Sequence, residues 1–229
     1  MKARLPLDEE ARLEALHRYR ILDTEAEEVY DNLSRLAAHL CGVPISAVSL
    51  VDEDRQWLKA RVGVDVRQIP RDLSICAHAL DGTGVLVVSD TLQDERFADN
   101  PLAAKPGGIR FYAGAPLITP DGYAIGTLCV MDSEPRTLSS SQTETLQALS
   151  HHVVAQMEMR RAAAGQVLVL ASLESAQKTG EGYESTLTLA ATYMSETAPV
   201  KAYLSSDTAL AHFYGYKSFD ELATLLDDV

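Results

Sequence analysis

The strongest secondary-structure signal in the chain lies in residues 45–62, which read ISAVSLVDEDRQWLKARV. The first seven residues are rich in strand-forming side chains and end at the acidic turn 52–54. Residues 55–62 then alternate along the chain with Trp57 in the middle, and Gly63 closes the run. Two such strands on either side of a short polar turn predict an antiparallel hairpin.

A second hairpin is predicted later in the chain, between residues 109–117 and 124–131. Both runs are rich in apolar residues, and the sequence TPDG at 119–122 is typical of a tight turn. Between the two hairpins, residues 85–88 predict a short buried strand. Residues 89–108 have the Asp, Asn, Pro and Gly content of a loop.

Helices are predicted on both sides of this β-rich region. A polar helix is expected over residues 9–19, and a second helix, capped by Asp23 or Thr24, ends at the Gly-Pro stop 41–44. A long helix is expected from about residue 141 to beyond residue 161. The element order predicts an α+β fold, an antiparallel sheet of five or six strands with helices packed on one side.

The composition excludes several classes of protein. The chain has 229 residues, 46% of them hydrophobic, and 33 acidic residues against 20 basic ones give a net charge of −13. An acidic surface repels phosphate backbones and anionic headgroups, so neither a nucleic acid nor a membrane is expected as a partner. Three cysteines without a CxxC pair, no long apolar run and no N-terminal signal sequence predict a cytoplasmic protein.

A shift in composition predicts two segments. Every arginine lies before residue 162, whereas the basic residues of the segment 165–229 are all lysines. Because Gly165 falls at this shift, we expect a first domain over residues 1–164 and a separate segment after it.

Several motifs of the first domain resemble the GAF domain, in the bacterial form found at the front of histidine kinases and cyclic-dinucleotide enzymes. They keep the order of that family across residues 5–161. The matching stretches are RILDT (20–24), SLVD (49–52) with RQWLK (55–59), SICAHA (74–79), DERF (94–97) before NPL (100–102), IRFYAGAPL (109–117), GTLCV (126–130), and PR (135–136) with Leu138 and Gln142.

The resemblance implies a regulatory module that senses a small molecule and dimerises. It implies no catalysis by this chain and no obligatory cofactor, and its partners would be an unknown small molecule and a downstream kinase or cyclase domain. The segment 203–222, with YLSSD, ALA and YGYKSFDEL, is similar to the opening of a PAS domain. Residues 165–229 are therefore expected to hold a helical linker and an incomplete PAS-like segment.

In GAF domains, ligands lie in a groove between the sheet and a loop, here residues 89–105. Arg110 could face an anionic or polar ligand in that groove, or it could pair with Asp90 or Asp94 and fix the loop; the second interpretation is slightly favoured. The candidate ligand-binding residues are Trp57, Cys76, His78, Phe97, Arg110, Tyr112 and Thr127.

The cysteines allow two other functions. Cys76 and His78 flank the position where bilin-binding GAF domains attach a chromophore, but the chromophore-contacting aspartate motif is absent. A GAF-fold enzyme reduces free methionine sulfoxide with cysteines, which requires a thiolate and a nearby resolving thiol. Cys41, Cys76 and Cys129 are far apart in sequence, so both functions are less favoured than burial of these thiols in the core.

No metal site is expected. The carboxylates Asp52, Asp90, Asp94 and Asp99 do not have the spacing of a calcium-binding loop, and turn or helix-capping roles suit them better.

The last predicted helix carries an apolar stripe, formed by Leu146, Leu149, Val153 and Met157. The stripe could cover the chain's own sheet. Because the helix is expected to continue toward Val167, Leu168 and Leu170, we also expect a homodimer through the first and last helices of the domain.

Overall fold

A six-stranded antiparallel sheet forms the centre of the fold, as the sequence predicts. The computed structural model describes residues 2–179, with side chains described up to residue 164. The PAS-like segment and most of the predicted segment 165–229 lie outside the described residues. The strands are β1 (Ile45–Val51), β2 (Arg55–Val62), β3 (Gln68–Pro70), β4 (Leu86–Val88), β5 (Phe111–Ile118) and β6 (Ala124–Asp132).

The sheet order is β3-β2-β1-β6-β5-β4, and every neighbouring pair is antiparallel. Strands β1 and β6 are therefore the two central strands, and all nine residues of β6 are buried. Gly126 of β6 permits the close approach to β1, because a Cβ atom there would overlap the carbonyl oxygen of Ser49.

Three of the four α-helices within residues 2–179 lie on one face of the sheet, as predicted. The helices are α1 (Glu9–Arg18), α2 (Glu28–Cys41), α3 (Pro101–Ala104) and α4 (Ser140–Thr179). Side chains of α1, α2 and α4 pack with inward side chains of the sheet in one cluster, which we call the helix-side core. Residues Met1–Met157 form one compact unit, and Glu158–Val229 belong to a second one.

The apolar stripe of α4 belongs to this core. Leu146, Leu149, Val153 and Met157 are all buried in it, so the stripe covers the chain's own sheet. The helix continues to Thr179, which confirms the predicted extension beyond residue 161.

The opposite face of the sheet is covered mainly by irregular chain. We call residues 71–80 and 91–104 the covering segments; they contain the short 3₁₀ turns Arg71–Leu73, Cys76–Ala79 and Thr91–Gln93 as well as α3. Apolar residues of these segments pack on the sheet in a second cluster, the cover-side core.

The second helix begins later than predicted. Its N-cap is Glu27 rather than Asp23 or Thr24. The buried Lys59 ammonium donates to Thr24 Oγ1 (2.8 Å), the Glu25 carbonyl oxygen (2.7 Å) and Glu27 Oε1 (2.6 Å), which holds residues 24–27 in a non-helical path. The end is as predicted, since Gly42 adopts the left-handed conformation (φ 66°) that terminates helices.

No helix among the described residues is long and apolar enough to cross a membrane.

Candidate functional site

The sheet surface under the covering segments is lined by small residues in the middle of its central strands. Ala47 of β1 lies opposite Cys129 of β6, which lies opposite Gly114 of β5. Alternate residues of a strand share a face, so the next row along the sheet contains Ser49 and Thr127. The small side chains of the first row leave space above the sheet.

Tyr112 of β5 occupies part of this space. Its ring lies over Gly114, and a Cβ atom at position 114 would overlap the Tyr112 hydroxyl. The hydroxyl reaches Thr127 Oγ1 at 3.5 Å, and both side chains are fully buried. Only glycine at position 114 permits this placement of the tyrosine ring.

The covering segments are fixed to each other and to the sheet. Asn100 Nδ2 donates to the Leu73 carbonyl oxygen (3.0 Å), which links the two segments, and Asn100 Oδ1 accepts from the Leu102 N–H (2.9 Å) within the second segment. Ser74 Oγ accepts from the Ala77 N–H (3.0 Å) at the start of the Cys76–Ala79 turn. This turn contacts β1, β5 and β6.

Two thiols meet where the cover touches the sheet. Cys76 Sγ and Cys129 Sγ are 3.8 Å apart, and Cys129 Sγ is 3.6 Å from the Ala47 carbonyl oxygen. Cys76 is 2% exposed and Cys129 is 0% exposed. The Ser49 hydroxyl is also buried, and it has no hydrogen-bond partner within the part of the chain that the structure describes. We call Ser49, Cys76, Tyr112, Thr127 and Cys129 the thiol–hydroxyl cluster.

The cluster makes its two thiols unequal. The neighbouring Cys129 thiol, and then the hydroxyls of Thr127, Tyr112 and Ser49, lower the pKa of Cys76 by stabilising its thiolate, against the opposing effect of burial. The interaction with Cys76, together with burial, raises the pKa of Cys129 well above its usual range. Burial and the charge of a Cys76 thiolate also raise the pKa of Tyr112. Cys76 is therefore the thiol of the pair that ionises first.

The structure brings together most of the predicted site residues. Cys76, Phe97 and Tyr112 share the cover-side core, and Thr127 lies beside Tyr112. His78 is half-buried at the rim of the site, where its ring meets the edge of Phe97 with a centroid distance of 4.7 Å.

Trp57 does not join them, because it packs in the helix-side core on the other face of the sheet. Its partner on β1 is Leu50, which also faces the helices. A bulge between Val48 and Ser49 shifts the register of β1 and β2, and register decides which face each side chain occupies.

Arg110 makes its ion pair outside the cluster. It precedes β5 and binds Asp90 through two hydrogen bonds of 2.8 and 2.7 Å. These bonds lower the pKa of Asp90, whose carboxylate also accepts from the Leu92 N–H at 3.1 Å. Arg110 therefore fixes the loop through Asp90, which is the interpretation that the sequence slightly favoured.

Ser49 and Cys129 belong to the cluster although they were not among the residues predicted from the sequence. For Cys129 a signal was available, since it lies two residues after Thr127 and thus on the same face of a strand. For the Cys76–Cys129 contact there was none, because the residues are 53 positions apart and only the fold places the Cys76–Ala79 turn over β6.

The candidate carboxylates act in turns and ion pairs. Asp52 Oδ1 lies 2.9 Å from His17 Nε2, and Asp94 binds Arg96 at 2.6 Å. Among the side chains that the structure describes, no group of three or more His, Cys, Asp or Glu lies where it could hold a metal ion.

Two open clefts lie elsewhere on the surface. One, with a volume of about 560 Å³, is lined by residues 4–8 and by the turn between β5 and β6. The other, of about 400 Å³, lies beside β2 and is lined by Arg35, Arg61 and Arg67 among others. Neither of these two clefts is lined by a residue of the thiol–hydroxyl cluster. All five side chains of the cluster are buried, so a ligand reaches them only if the covering segments or Tyr112 move.

Comparison with known proteins agrees with this architecture. The profile of the GAF domain matches residues 25–157. The cyclic di-GMP phosphodiesterase PA2567 of Pseudomonas aeruginosa is 40% identical over 157 residues, which are 68% of this chain and 27% of that protein. This chain thus spans about a quarter of its curated relative.

Two solved structures share the fold. The GAF domain of a phosphoenolpyruvate-protein phosphotransferase from Coxiella burnetii superposes with a TM-score of 0.52 and 13% identity, covering 67% of this chain and 96% of that one. The corresponding domain from Acinetobacter gives a TM-score of 0.50 and 18% identity, covering 67% and 97%. The chain belongs to the GAF domain family.

Proposed function

We propose that this chain is a cytoplasmic regulatory GAF module of a bacterial signalling protein, and that its output is the turnover of cyclic di-GMP. The observation that carries this proposal is the 40% identity over 157 residues with the phosphodiesterase PA2567. The match takes up only 27% of that protein, so the phosphodiesterase activity that its name gives belongs to a much longer chain. We accordingly assign sensing to this chain and catalysis to a downstream domain. A phosphodiesterase or cyclase domain is favoured over a histidine kinase as that output.

The ligand is a small molecule that binds at the thiol–hydroxyl cluster. Support comes from the position of Tyr112, whose ring lies over Gly114. Rotation about its side-chain bonds would vacate that space for a ligand. Ala47, Phe97 and Val88 belong to the same cover-side core as Cys76 and Tyr112, and the polar groups of the cluster are hydroxyls and thiols. These surroundings suit a largely apolar molecule with one or two hydrogen-bonding groups. Trp57 and Arg110 are left out of this site for the geometric reasons given above.

A chimera tests the regulatory role. The aligned segment of PA2567 would be replaced by the matching residues of this chain, and the hydrolysis of cyclic di-GMP measured with and without a small-molecule extract of the source cells. We expect the extract to change the rate, and a Thr127→Val substitution to weaken that response, because it removes a polar group of the cluster. The matched control is Thr145→Val, at a partly buried position of α4 outside the cluster.

The result against the proposal is equally specific. The chimera would hydrolyse cyclic di-GMP at the same rate with and without the extract, and the purified chain would carry no bound small molecule in native mass spectrometry.

Attachment of a bilin to Cys76 has less support. The Cys76 sulfur is buried against Cys129 and the sheet. A thioether to a tetrapyrrole would require the covering segments to leave the sheet. We expect no visible absorbance that depends on Cys76 after co-expression with bilin synthesis.

We also propose that residues 1–164 form an independent domain and that the whole chain is a homodimer. The two cores together draw on side chains from Ala3 to Met157, which supports the first statement. The second rests on α4, which is 40 residues long although its core-facing stripe ends at Met157. A protein of residues 1–164 should unfold in one cooperative transition, measured by circular dichroism.

A further inference from the structure

We propose that Cys76 and Cys129 form a redox-modification site, in which a peroxide converts the two thiols into a disulfide that joins the covering segment to β6. This modification does not depend on the ligand proposed above. It uses a different property of the site, the contact between two buried sulfur atoms.

The geometry brings the two thiols within reach of each other. Their sulfur atoms are 3.8 Å apart, and a disulfide bond is about 2.05 Å long. The sulfurs must therefore approach by less than 2 Å, roughly what a modest rotation of one side chain provides. Cys129 is held in the fully buried strand β6, whereas Cys76 begins a short turn of the cover, so Cys76 is the side chain that moves.

The reaction balances with one peroxide for each disulfide. The Cys76 thiolate attacks one peroxide oxygen, the O–O bond breaks, and the second oxygen leaves as water after taking up a proton; Cys76 becomes a sulfenic acid. The Cys129 sulfur then attacks the Cys76 sulfur, the S–O bond breaks, and a second water leaves with the Cys129 proton. Two thiols are oxidised by two electrons, and the peroxide is reduced to two molecules of water.

The surroundings assign the two roles. Cys76 has the lower pKa of the pair because Cys129 and three hydroxyls stabilise its thiolate, so it supplies the nucleophile. The raised pKa of Cys129 keeps that residue protonated until it resolves the sulfenic acid.

The third cysteine serves as an internal control. Cys41 ends α2 and is buried in the helix-side core, on the other face of the sheet from the pair. Burial raises its pKa. Cys41 therefore has neither a partner thiol nor the stabilised thiolate of Cys76.

The test is to treat the reduced full-length chain with hydrogen peroxide under native conditions. The free thiols are then alkylated in denaturant, and the digested peptides are mapped by mass spectrometry. We expect one alkylated thiol out of three, at Cys41, and a cross-linked peptide pair that contains Cys76 and Cys129. Dithiothreitol should restore all three thiols. Three thiols that stay free, a Cys76 sulfinic acid without a cross-link, or a disulfide through Cys41 would each overturn the proposal.

Variants separate the two steps. Cys41→Ser should form the disulfide at the wild-type rate. Cys129→Ser should stop at a Cys76 sulfenic acid that dimedone traps, and Cys76→Ser should leave Cys129 unmodified at the same peroxide dose. If either variant does not fold, the rate of Cys76–Cys129 linkage is compared in the wild-type protein with and without urea. Loss of the fold should slow this linkage. An equal linkage rate in urea would mean that the folded geometry contributes nothing.

Discussion

Glu9 is a single carboxylate that serves two buried arginines. It accepts hydrogen bonds from Arg12 at 2.8 and 2.7 Å, and it also binds Arg71. Burial raises the pKa of Glu9, but the hydrogen bonds and charges of Arg12 and Arg71 outweigh that effect and bring it down to about 2. Arg12 and Arg71 in turn donate to the carbonyl oxygens of Val51 and Asp52 at the end of β1.

We expect Glu9→Gln to lower the free energy of unfolding by about 3 kcal/mol at pH 7, because it leaves two buried guanidinium groups without their counter-charge. The depressed pKa sets the pH dependence. The stabilisation is complete above the unfolded-state pKa of about 4.5 and is lost as the pH falls toward 2. Urea unfolding of both proteins between pH 7 and pH 2 measures this.

The matched control is Glu10→Gln on the exposed side of the same helix, which should change stability by less than about 0.5 kcal/mol. A difference between wild type and Glu9→Gln that stays constant across this pH range would contradict the assignment.

Gly114 is a second position where one atom decides the packing. Gly114→Ala should cost about 1–3 kcal/mol, because the new methyl group overlaps the Tyr112 side chain. In a Tyr112→Leu background, which lacks that hydroxyl and ring, the same substitution should cost clearly less. A double-mutant cycle from urea unfolding gives this coupling.

Gly84→Ala is the control for Gly114→Ala, since a Cβ at position 84 meets nothing within 4 Å, and it should cause no loss of stability. If Gly114→Ala costs the same in both backgrounds, Tyr112 is not the group that it displaces.

The residue scale also shows what the sequence could and could not predict about the site. The resemblance grouped Tyr112, Thr127 and Trp57 as candidate residues of one groove. The structure places Tyr112 beside Thr127, whereas Trp57 pairs with Leu50 and faces the helices. A one-residue bulge in β2, the strand of Trp57 itself, affects which face its side chains occupy, and no local pattern marked that bulge. The Arg110–Asp90 pair was foreseen as one of two alternatives, but the choice between them needed the folded loop.

At the scale of elements, α4 combines two roles along one helix. Its first half closes the helix-side core through the stripe of Leu146, Leu149, Val153 and Met157. We expect Leu146→Ala to lower the free energy of unfolding by about 2–5 kcal/mol, because it removes a fully buried side chain and leaves a cavity.

Met159→Ala, at a position that is 45% exposed, is the matched control and should change stability by less than about 0.5 kcal/mol. Equal effects of the two substitutions in thermal or urea unfolding would show that the stripe does not hold the core.

The long elements followed from the sequence, but among the short ones β4 was predicted while β3 and α3 were not. The two hairpins and α4 have enough residues for their periodicity to appear. The three-residue strand β3 and the four-residue helix α3 are too short for that, and tertiary contacts alone define them. The late start of α2 was missed because the ammonium group that holds residues 24–27 belongs to β2, more than thirty residues away.

At the scale of the whole molecule, the proposed homodimer makes a clear prediction. Leu168→Glu combined with Leu170→Glu should weaken the dimer in sedimentation equilibrium, because it introduces charge into an apolar part of the α4 sequence. The core should keep its unfolding midpoint, since its side chains lie before residue 158. Gln166→Glu, a single added charge beside the apolar positions, is the control.

A wild-type chain that sediments as a monomer at tens-of-micromolar concentration, about where weak regulatory dimers form, would contradict the dimer.

The order of the strands has a consequence for the way this chain folds. Each hairpin closes a short loop, so β1–β2 and β5–β6 can form quickly. The central pair β1–β6 joins Ile45 to Met131 and Leu50 to Gly126, contacts of high sequence separation that must wait for both hairpins. Until then the most apolar strand edges of the sheet are open to other chains. The yield of native protein should therefore fall with rising temperature and chain concentration during synthesis, even where the finished fold is stable.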